Sequence, residues 1–307
     1  MAQEGSLDGW RQGLRTEALA AGISPTTVAS ALDDFAPDDR VVELDRKQPE
    51  HAITFATYLK NALPPSRLRE GQRLMHANEA ALSAAVHAYG VPANVIVALW
   101  GIESSFGKNM GGFDAVTSLA TLAYEGRRAA FFRGELLEAL RLIDEEGLTP
   151  SDLQGSWAGA LGQCQFMPST YRRYAVDADG DGKRDIWRDQ RDVFASIARY
   201  LAAEGWKAGQ SWGREVHVTH PVAVEAVGLE HTETLAAWAH LGVTGLGGLP
   251  LPKGGRDASL IQPDGPHGRS FLVYDNFRAL MRWNRSTYFA TTVGLFADQL
   301  KKGVHRP

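Results

Sequence analysis

Apolar positions recur at helical spacing along most of this chain. Ser24-Pro25 pairs an N-cap with a first-turn proline, and Val28, Leu32 and Phe35 fall on one face of the helix they open. Pro37 ends it. A further helix is expected to begin near Pro49-Glu50 and to carry Ile53, Phe55, Tyr58 and Leu59 as far as Pro64-Pro65. A long helix should follow from about Ser66 to Tyr89, with Leu68, Leu74, Leu82 and Val86 inward and Gly90 as its stop. Thr117 to Glu125 and Arg128 to Glu146 read as helices, the second amphipathic through Phe132, Leu136, Leu140 and Ile143. Pro168 starts another, and one more runs from Asp192 to about Glu204. The pattern then changes. Val216-His217-Val218-Thr219, Val222-Ala223-Val224, Leu260-Ile261 and Phe271-Leu272-Val273 alternate or cluster as short strands. Thr232 is expected to cap a short helix through Leu241, and Ser286 a C-terminal helix through Leu300. The fold class is mainly α, with a small α+β insertion.

One stretch has no polar face. Val95-Ile96-Val97-Ala98-Leu99-Trp100-Gly101-Ile102 runs straight into Glu103, with Pro92 just upstream and Gly107 at an expected turn. A helix that is apolar all round belongs in a core. Glu103 is therefore expected where a buried helix surfaces. A carboxyl held there loses solvation, which favours its protonated form, as general acid catalysis needs. Downstream, Gly155-Ser156-Trp157-Ala158-Gly159-Ala160-Leu161-Gly162 is rich in small residues, which permit close backbone approach or tight turns.

Composition narrows the field without deciding it. The 307 residues suit one large domain or a few small ones, and 44% hydrophobic with 22% charged residues is ordinary for a globular protein. A formal net charge of −4 gives no reason to expect a nucleic-acid partner. No apolar run is long enough for a membrane span, and the first residues do not read as a signal peptide. The chain is thus expected to be cytoplasmic, or to have lost a leader. Cys164 is the single cysteine, which excludes an internal disulfide, and a buried structural thiol is the expectation for it.

Asp177-Ala178-Asp179-Gly180-Asp181-Gly182-Lys183-Arg184-Asp185-Ile186 carries a stronger signal. Oxygen donors at positions one, three and five followed by glycine at six form the EF-hand pattern for Ca²⁺. Lys183 would ligate through its carbonyl, and Asp185 fits position nine. Position twelve is Arg188, not glutamate. The closing carboxylate must come from Asp189 or Asp192, and Asp192 is included in the expected ligand set. The ion would be structural.

These motifs occur in a fixed order: Ile102-Glu103-Ser104, the Gly155–Gly162 segment, Gln165-Phe166-Met167-Pro168-Ser169, the Asp177 loop, and Trp283-Asn284-Arg285-Ser286-Thr287-Tyr288. Together they resemble the lytic murein transglycosylases of the B type, over roughly residues 45 to 300. The resemblance implies a helical N-terminal subdomain (1–90), a lysozyme-like catalytic core (91–205) with an EF-hand-like loop (177–192), a small β-containing subdomain (206–274), and a C-terminal helix returning to the cleft (275–307). By position, it implies Glu103 as the only catalytic acid/base. It further implies Tyr58, Ser156, Gln165, Tyr200, Trp283, Asn284 and Phe289 as substrate-binding residues. Trp283 and Phe289 stand where the family usually has tyrosine, keeping an aromatic face without the hydroxyl.

The implied reaction cleaves the β-1,4 bond between N-acetylmuramic acid and N-acetylglucosamine in peptidoglycan, leaving 1,6-anhydro ends. The implied setting is the periplasm or cell envelope, and the protein is expected to act as a monomer. Two other readings fit the same residues. One is a muramidase hydrolysing the same bond, with Asp114 as the nearest downstream second carboxylate. The other is a non-catalytic glycan-binding protein.

Overall fold

The computed structural model describes residues 6–47, 53–125, 127–254 and 256–304. Helices α1 (Leu7–Ala20), α2 (Pro25–Leu32), α3 (Asp39–Arg46), α4 (Phe55–Ala62), α5 (Pro65–Ala77), α6 (Glu79–Tyr89) and α7 (Ala93–Ser104) come first. Strand β1 (Phe113–Asp114), α8 (Ala115–Glu125), α9 (Ala129–Glu146), β2 (Gln154–Gly155), α10 (Pro168–Tyr174) and α11 (Gln190–Ala203) follow. Then come β3 (Gly213–Val218), β4 (Glu233–Thr234), α12 (Leu235–His240), β5 (Val243–Gly245), β6 (Asp257–Ile261), β7 (Ser270–Val273), α13 (Asp275–Trp283) and α14 (Thr287–Val304). The architecture is mainly helical with a small antiparallel sheet, as the patterning predicts. The chain forms two compact units, each assembled from two separate segments: Met1–Glu50 with Glu103–Ile197, and His51–Ile102 with Ala198–Pro307.

In the first unit, side-chain caps define several helix starts. Ser6 Oγ accepts from Gly9 N at 3.3 Å and Ser24 Oγ from Thr27 N at 3.2 Å, satisfying amides that a helix leaves open. Asp144 on α9 then accepts from the Ser24 and Thr27 hydroxyls at 2.6 and 2.7 Å, tying α2 to α9. Leu119, Leu136, Ala139 and Leu140, all fully buried, belong to the core-facing sides of α8 and α9. Trp10 packs 5.5 Å from both Phe35 and Tyr124. The ribbon β1–β2 pairs Phe113 with Gly155 and Asp114 with Gln154, which brings the loop before β1 against the small-residue segment.

In the second unit, five short strands form one antiparallel sheet in the order β4-β6-β7-β3-β5. Trp238 of α12, fully buried, packs with Leu235, Val243, Leu260 and Leu272 beneath it, and its indole N–H donates to Ala258 O at 2.8 Å. The Asp264 carboxylate receives the Phe55 and Ala56 amides at the start of α4, where a helix favours negative charge. Phe55 meets Phe271 and Tyr288 edge-on.

Several expected boundaries differ. The single helix expected over Ser66–Tyr89 is two, broken at Asn78, whose side-chain amide donates to Leu74 O at 2.8 Å. Asn side chains compete in this way for backbone partners and interrupt helices. The expected stop at Gly90 holds, with φ 70°. The start proposed near Pro49-Glu50 lies outside the described residues, and α4 begins at Phe55 under a Thr54 cap. Val222–Val224 is not a strand; it leads into a 3₁₀ turn, and Val224 is 81% exposed. Thr234, not Thr232, caps α12. The separate helix α13 has no counterpart in the sequence reading.

Candidate active site

Glu103 is the penultimate residue of α7 and is half-buried. Upstream, Val95 through Trp100 are each at most 5% exposed, as an all-apolar helix requires. Past Ser104 the backbone turns through Ser105 and Phe106, both left-handed at φ 50° and 63°, and then Gly107 at 79°. Left-handed non-glycine residues cost about 1–3 kcal/mol each, and persist only where the surroundings over-determine them. Here the Ser104 hydroxyl accepts from Gly107 N at 3.0 Å, Ser104 O accepts from Asn109 N at 2.8 Å, and Phe106 is buried. Gly107 is required for a second reason: a Cβ there would lie 2.5 Å from Gln163 Oε1. Gln163, also buried, donates from Nε2 to Trp187 O at 2.8 Å and from its amide to Ile186 O at 2.8 Å.

The small-residue segment folds around Ser156. Its hydroxyl accepts from Ala158 N at 3.3 Å and Ala160 N at 3.1 Å, and its own amide donates to Ala160 O at 2.8 Å. Gln165 is left-handed at φ 52°, and its Nε2 donates to Met110 O at 3.0 Å and Gly162 O at 2.9 Å. The side chain therefore ties the loop before β1 to the segment after Ser156. Cys164 is fully buried, as expected. Burial pushes its thiol well above the usual range, and the nearby carboxylates of Glu103 and Asp192 push it further. Glu103 thus lies within electrostatic reach of the stretch that carries Gln165. Asp114, the other acid considered, accepts from Thr117 N at 2.7 Å and serves as the N-cap of α8.

Tyr58, Tyr200, Trp283, Asn284 and Phe289 belong to the second unit. Tyr200 donates its hydroxyl to Arg282 O at 2.7 Å, and its ring lies 4.7 Å from that of Trp283. Asn284 follows at the C-terminal end of α13 and is exposed. Tyr58 is half-buried, 5.8 Å from Tyr288. Phe289 is 5% exposed.

The acidic loop wraps as its spacing predicts. Asp177 accepts from Gly180 N at 2.7 Å and Gly182 N at 2.9 Å, and Asp181 from Lys183 N at 2.8 Å. Carboxylate oxygens of Asp177, Asp179 and Asp192 all lie within 4.8 Å of one another. Asp181 is not in that group. Of the two closing candidates, Asp192 joins the cluster, while Asp189 is turned to Arg191. Asp192 is buried, which raises its pKa to about 6 against the lowering effect of two backbone donors, Ala178 N and Asp185 N. Three hard oxygen donors converging, one of them a buried carboxylate, fit a divalent cation such as Ca²⁺. Arg191, 2.6 Å from Asp179, supplies part of the neutralising charge.

Comparison with known proteins places the chain. A family model described as the transglycosylase SLT domain matches residues 6–298, and the chain belongs to this family of lytic transglycosylases. The membrane-bound lytic murein transglycosylase B of Escherichia coli K12 is 35% identical over 239 residues, 77% of this chain. The match spans 64% of that relative's length. SltB3 of Pseudomonas aeruginosa, solved in complex with NAG-anhNAM-pentapeptide, is 45% identical, with a TM-score of 0.92 over 96% of this chain and 80% of its own. The E. coli lytic transglycosylase Slt35, solved in complex with calcium, is 30% identical, with a TM-score of 0.83 over 96% of this chain and 94% of its own.

Two features of the site have little or no signal in the sequence, the left-handed backbone and the place of Gln163. Ser105, Phe106 and Gln165 are not residue types that favour left-handed backbone. Gln163 reads as one polar residue among small ones, yet it fills the space that Gly107 leaves open. Gly107 was the available clue, since a glycine just past a helix often marks close approach.

Proposed function

We propose that this protein is a lytic transglycosylase of peptidoglycan, and that Glu103 is its one catalytic carboxylate. The observation that carries this reading is the half-buried Glu103 at the exit of a buried apolar helix, while Asp114 is spent capping α8. Glu103 acts first as the acid. It protonates the glycosidic oxygen leaving the N-acetylmuramic acid residue. The resulting carboxylate then takes the proton from that sugar's own C6 hydroxyl, which closes onto the anomeric carbon as a 1,6-anhydro ring. Nucleophile and electrophile belong to one sugar, so the protein's task is to orient them. The left-handed turn after Ser104 and the Gln165 tie to Met110 keep that part of the site rigid. Tyr58, Tyr200, Trp283, Asn284 and Phe289 are proposed to bind substrate on their positional match to the family. The substrate implies a periplasmic or envelope location.

Mass spectrometry of digested, purified peptidoglycan tests the reaction. Anhydro ends are expected. Products heavier by one water would favour a muramidase, and no soluble fragments a glycan-binding protein.

Asp177, Asp179 and Asp192 are proposed to hold a structural Ca²⁺ that takes no part in the chemistry. A ligand that binds only the folded state stabilises it, by about 2.7 kcal/mol at a hundredfold excess over Kd. Chelation is expected to lower the melting temperature by about 5 °C. Asp177→Asn should blunt that response, with less change in the chelated baseline because the amide oxygen still accepts hydrogen bonds. Identical melting curves with calcium and with chelator would remove the ion from the description.

A further inference from the structure

Glu103 stands on the last turn of α7, and the chain leaves it through a turn that local preference does not supply. Ser105, Phe106 and Gly107 are all left-handed, and the Ser104 hydroxyl accepts from Gly107 N at 3.0 Å. Left-handed residues other than glycine need support from outside the turn. Gln163 supplies it from a distant part of the chain. The residue is 3% exposed, and its side-chain amide lies so close to Gly107 that a Cβ there would stand 2.5 Å from Oε1 and 2.7 Å from Cδ. Gln163 is itself anchored twice. Its backbone N–H donates to Ile186 O and its Nε2 to Trp187 O, both at 2.8 Å. Gly162, left-handed at φ 58°, presses on the same segment: a Cβ on it would meet Ile186 Cγ1 at 2.7 Å and Ile186 O at 2.8 Å. Ile186 is fully buried, and Trp187 is fixed in turn, its backbone N–H on Asp185 Oδ1 at 3.0 Å and its indole N–H on Gln154 O at 2.7 Å. All of these residues belong to one unit.

We infer that Gln163 is a positioning residue for Glu103. Its side chain is a strut between the Ile186-Trp187 backbone and the turn behind the acid, and it fixes where the carboxyl stands. The inference rests on Glu103 being the acid. Glu103 is close: its carboxylate acts electrostatically on Cys164, the next residue after Gln163. Proton transfer to the leaving oxygen needs donor and acceptor at hydrogen-bond distance. A displacement of about 1 Å in a group so placed costs about 10²-fold in rate. Gln163 acts through the turn and not on the sugar, so its loss should fall on kcat and leave KM nearly unchanged. An amide suits this role better than an apolar side chain of equal length. Without the Nε2 donor, Trp187 O loses a partner and nothing directional holds the strut in line.

Steady-state kinetics on a soluble, uncrosslinked glycan strand, with melting curves alongside, test this. Gln163→Met keeps the length and bulk beside Gly107 but cannot donate to Trp187 O, whereas Gln163→Ala removes both. We expect kcat to fall about tenfold in Gln163→Met and about 10²-fold in Gln163→Ala, with KM within about twofold of wild type in each. Should Gln163→Ala not fold, Gln163→Met, which fills the same space, carries the comparison. Gly107→Ala alone should also lower kcat, because its Cβ displaces the Gln163 amide. In the Gly107→Ala, Gln163→Ala double variant that clash is gone, so the loss should be smaller than the product of the two single losses. The proposal is overturned if the folded Gln163 variants keep the wild-type kcat and lose only melting temperature, if the loss appears in KM, or if the Gly107 and Gln163 losses simply multiply. Glu103→Gln in the same assay separates the two readings. Normal turnover by that protein would remove Glu103 as the acid, whereas an inactive Glu103→Gln beside fully active Gln163 variants would remove the positioning role alone.

Discussion

Replacing Glu103 by glutamine is expected to reduce release of anhydromuropeptide by at least 10²–10⁴-fold, about the contribution of a positioned general acid–base group. Glutamine keeps the length and shape of the side chain but can neither deliver the proton to the leaving oxygen nor collect the one from the C6 hydroxyl. Both halves of the reaction fail together, so no compensating second step rescues turnover. Folding should not suffer. Glu103 is half-buried at the end of a helix whose preceding turns are closed to solvent, and a neutral amide is easier to keep there than a charge. The melting temperature should hold or rise slightly. The informative measurement is product release per folded molecule, with the melting curve alongside. A folded Glu103→Gln protein that releases anhydro product at a near wild-type rate would sink the single-carboxylate mechanism.

The second large effect is expected at a glycine. Gly111 has φ 89°, and a Cβ built on it would stand 2.1 Å from Gly155 O and 2.6 Å from Ser156 Cα. Those are backbone atoms of the segment that Ser156 closes, so no side chain can swing aside to make room. Gly111→Ala should therefore combine left-handed strain with a forced shift of the β1–β2 ribbon, a loss of about 3 kcal/mol or more. For a chain of this size that corresponds to about 5–10 °C in melting temperature. Activity per folded molecule should fall as well, because Met110, one residue back, receives the Gln165 amide. Gly112→Ala is the control. Its Cβ would meet nothing within 4 Å, and its φ is not in the left-handed region, so it should be close to neutral. Thermal melts of the two variants side by side check this; equal stability would mean that the loop tolerates the shift.

That pair of adjacent glycines shows where reading the chain stops. Asn109-Met110-Gly111-Gly112-Phe113 is legible as a loop, yet nothing local distinguishes a glycine pressed against distant backbone from one in open space. The same holds for the metal loop. Spacing singles out Asp177, Asp179 and Asp181 with the glycine at position six, because all four stand in one short turn, but Asp181 lies outside the carboxylate cluster that the structure forms. Whether Asp189 or Asp192 closed the cluster depended on the register of α11 and on Arg191 claiming Asp189.

What the sequence determined by itself was local and periodic. It gave the helical stretches, the buried helix ending at Glu103, the caps at Ser24 and Gly90, the acidic turn, and a sheet-forming insertion. These follow from side-chain patterning and backbone preference within a few residues. The tertiary structure decided everything that depends on partners far along the chain. It alone set the antiparallel order of the sheet, the pairing of 1–50 with 103–197 into one unit, and the tie from Gln165 to Met110. It also set the left-handed backbone at Ser105, Phe106 and Gln165, which no local preference favours. Such conformations exist because many remote contacts outweigh a local cost, and a sum over remote contacts cannot be read from the residues on either side.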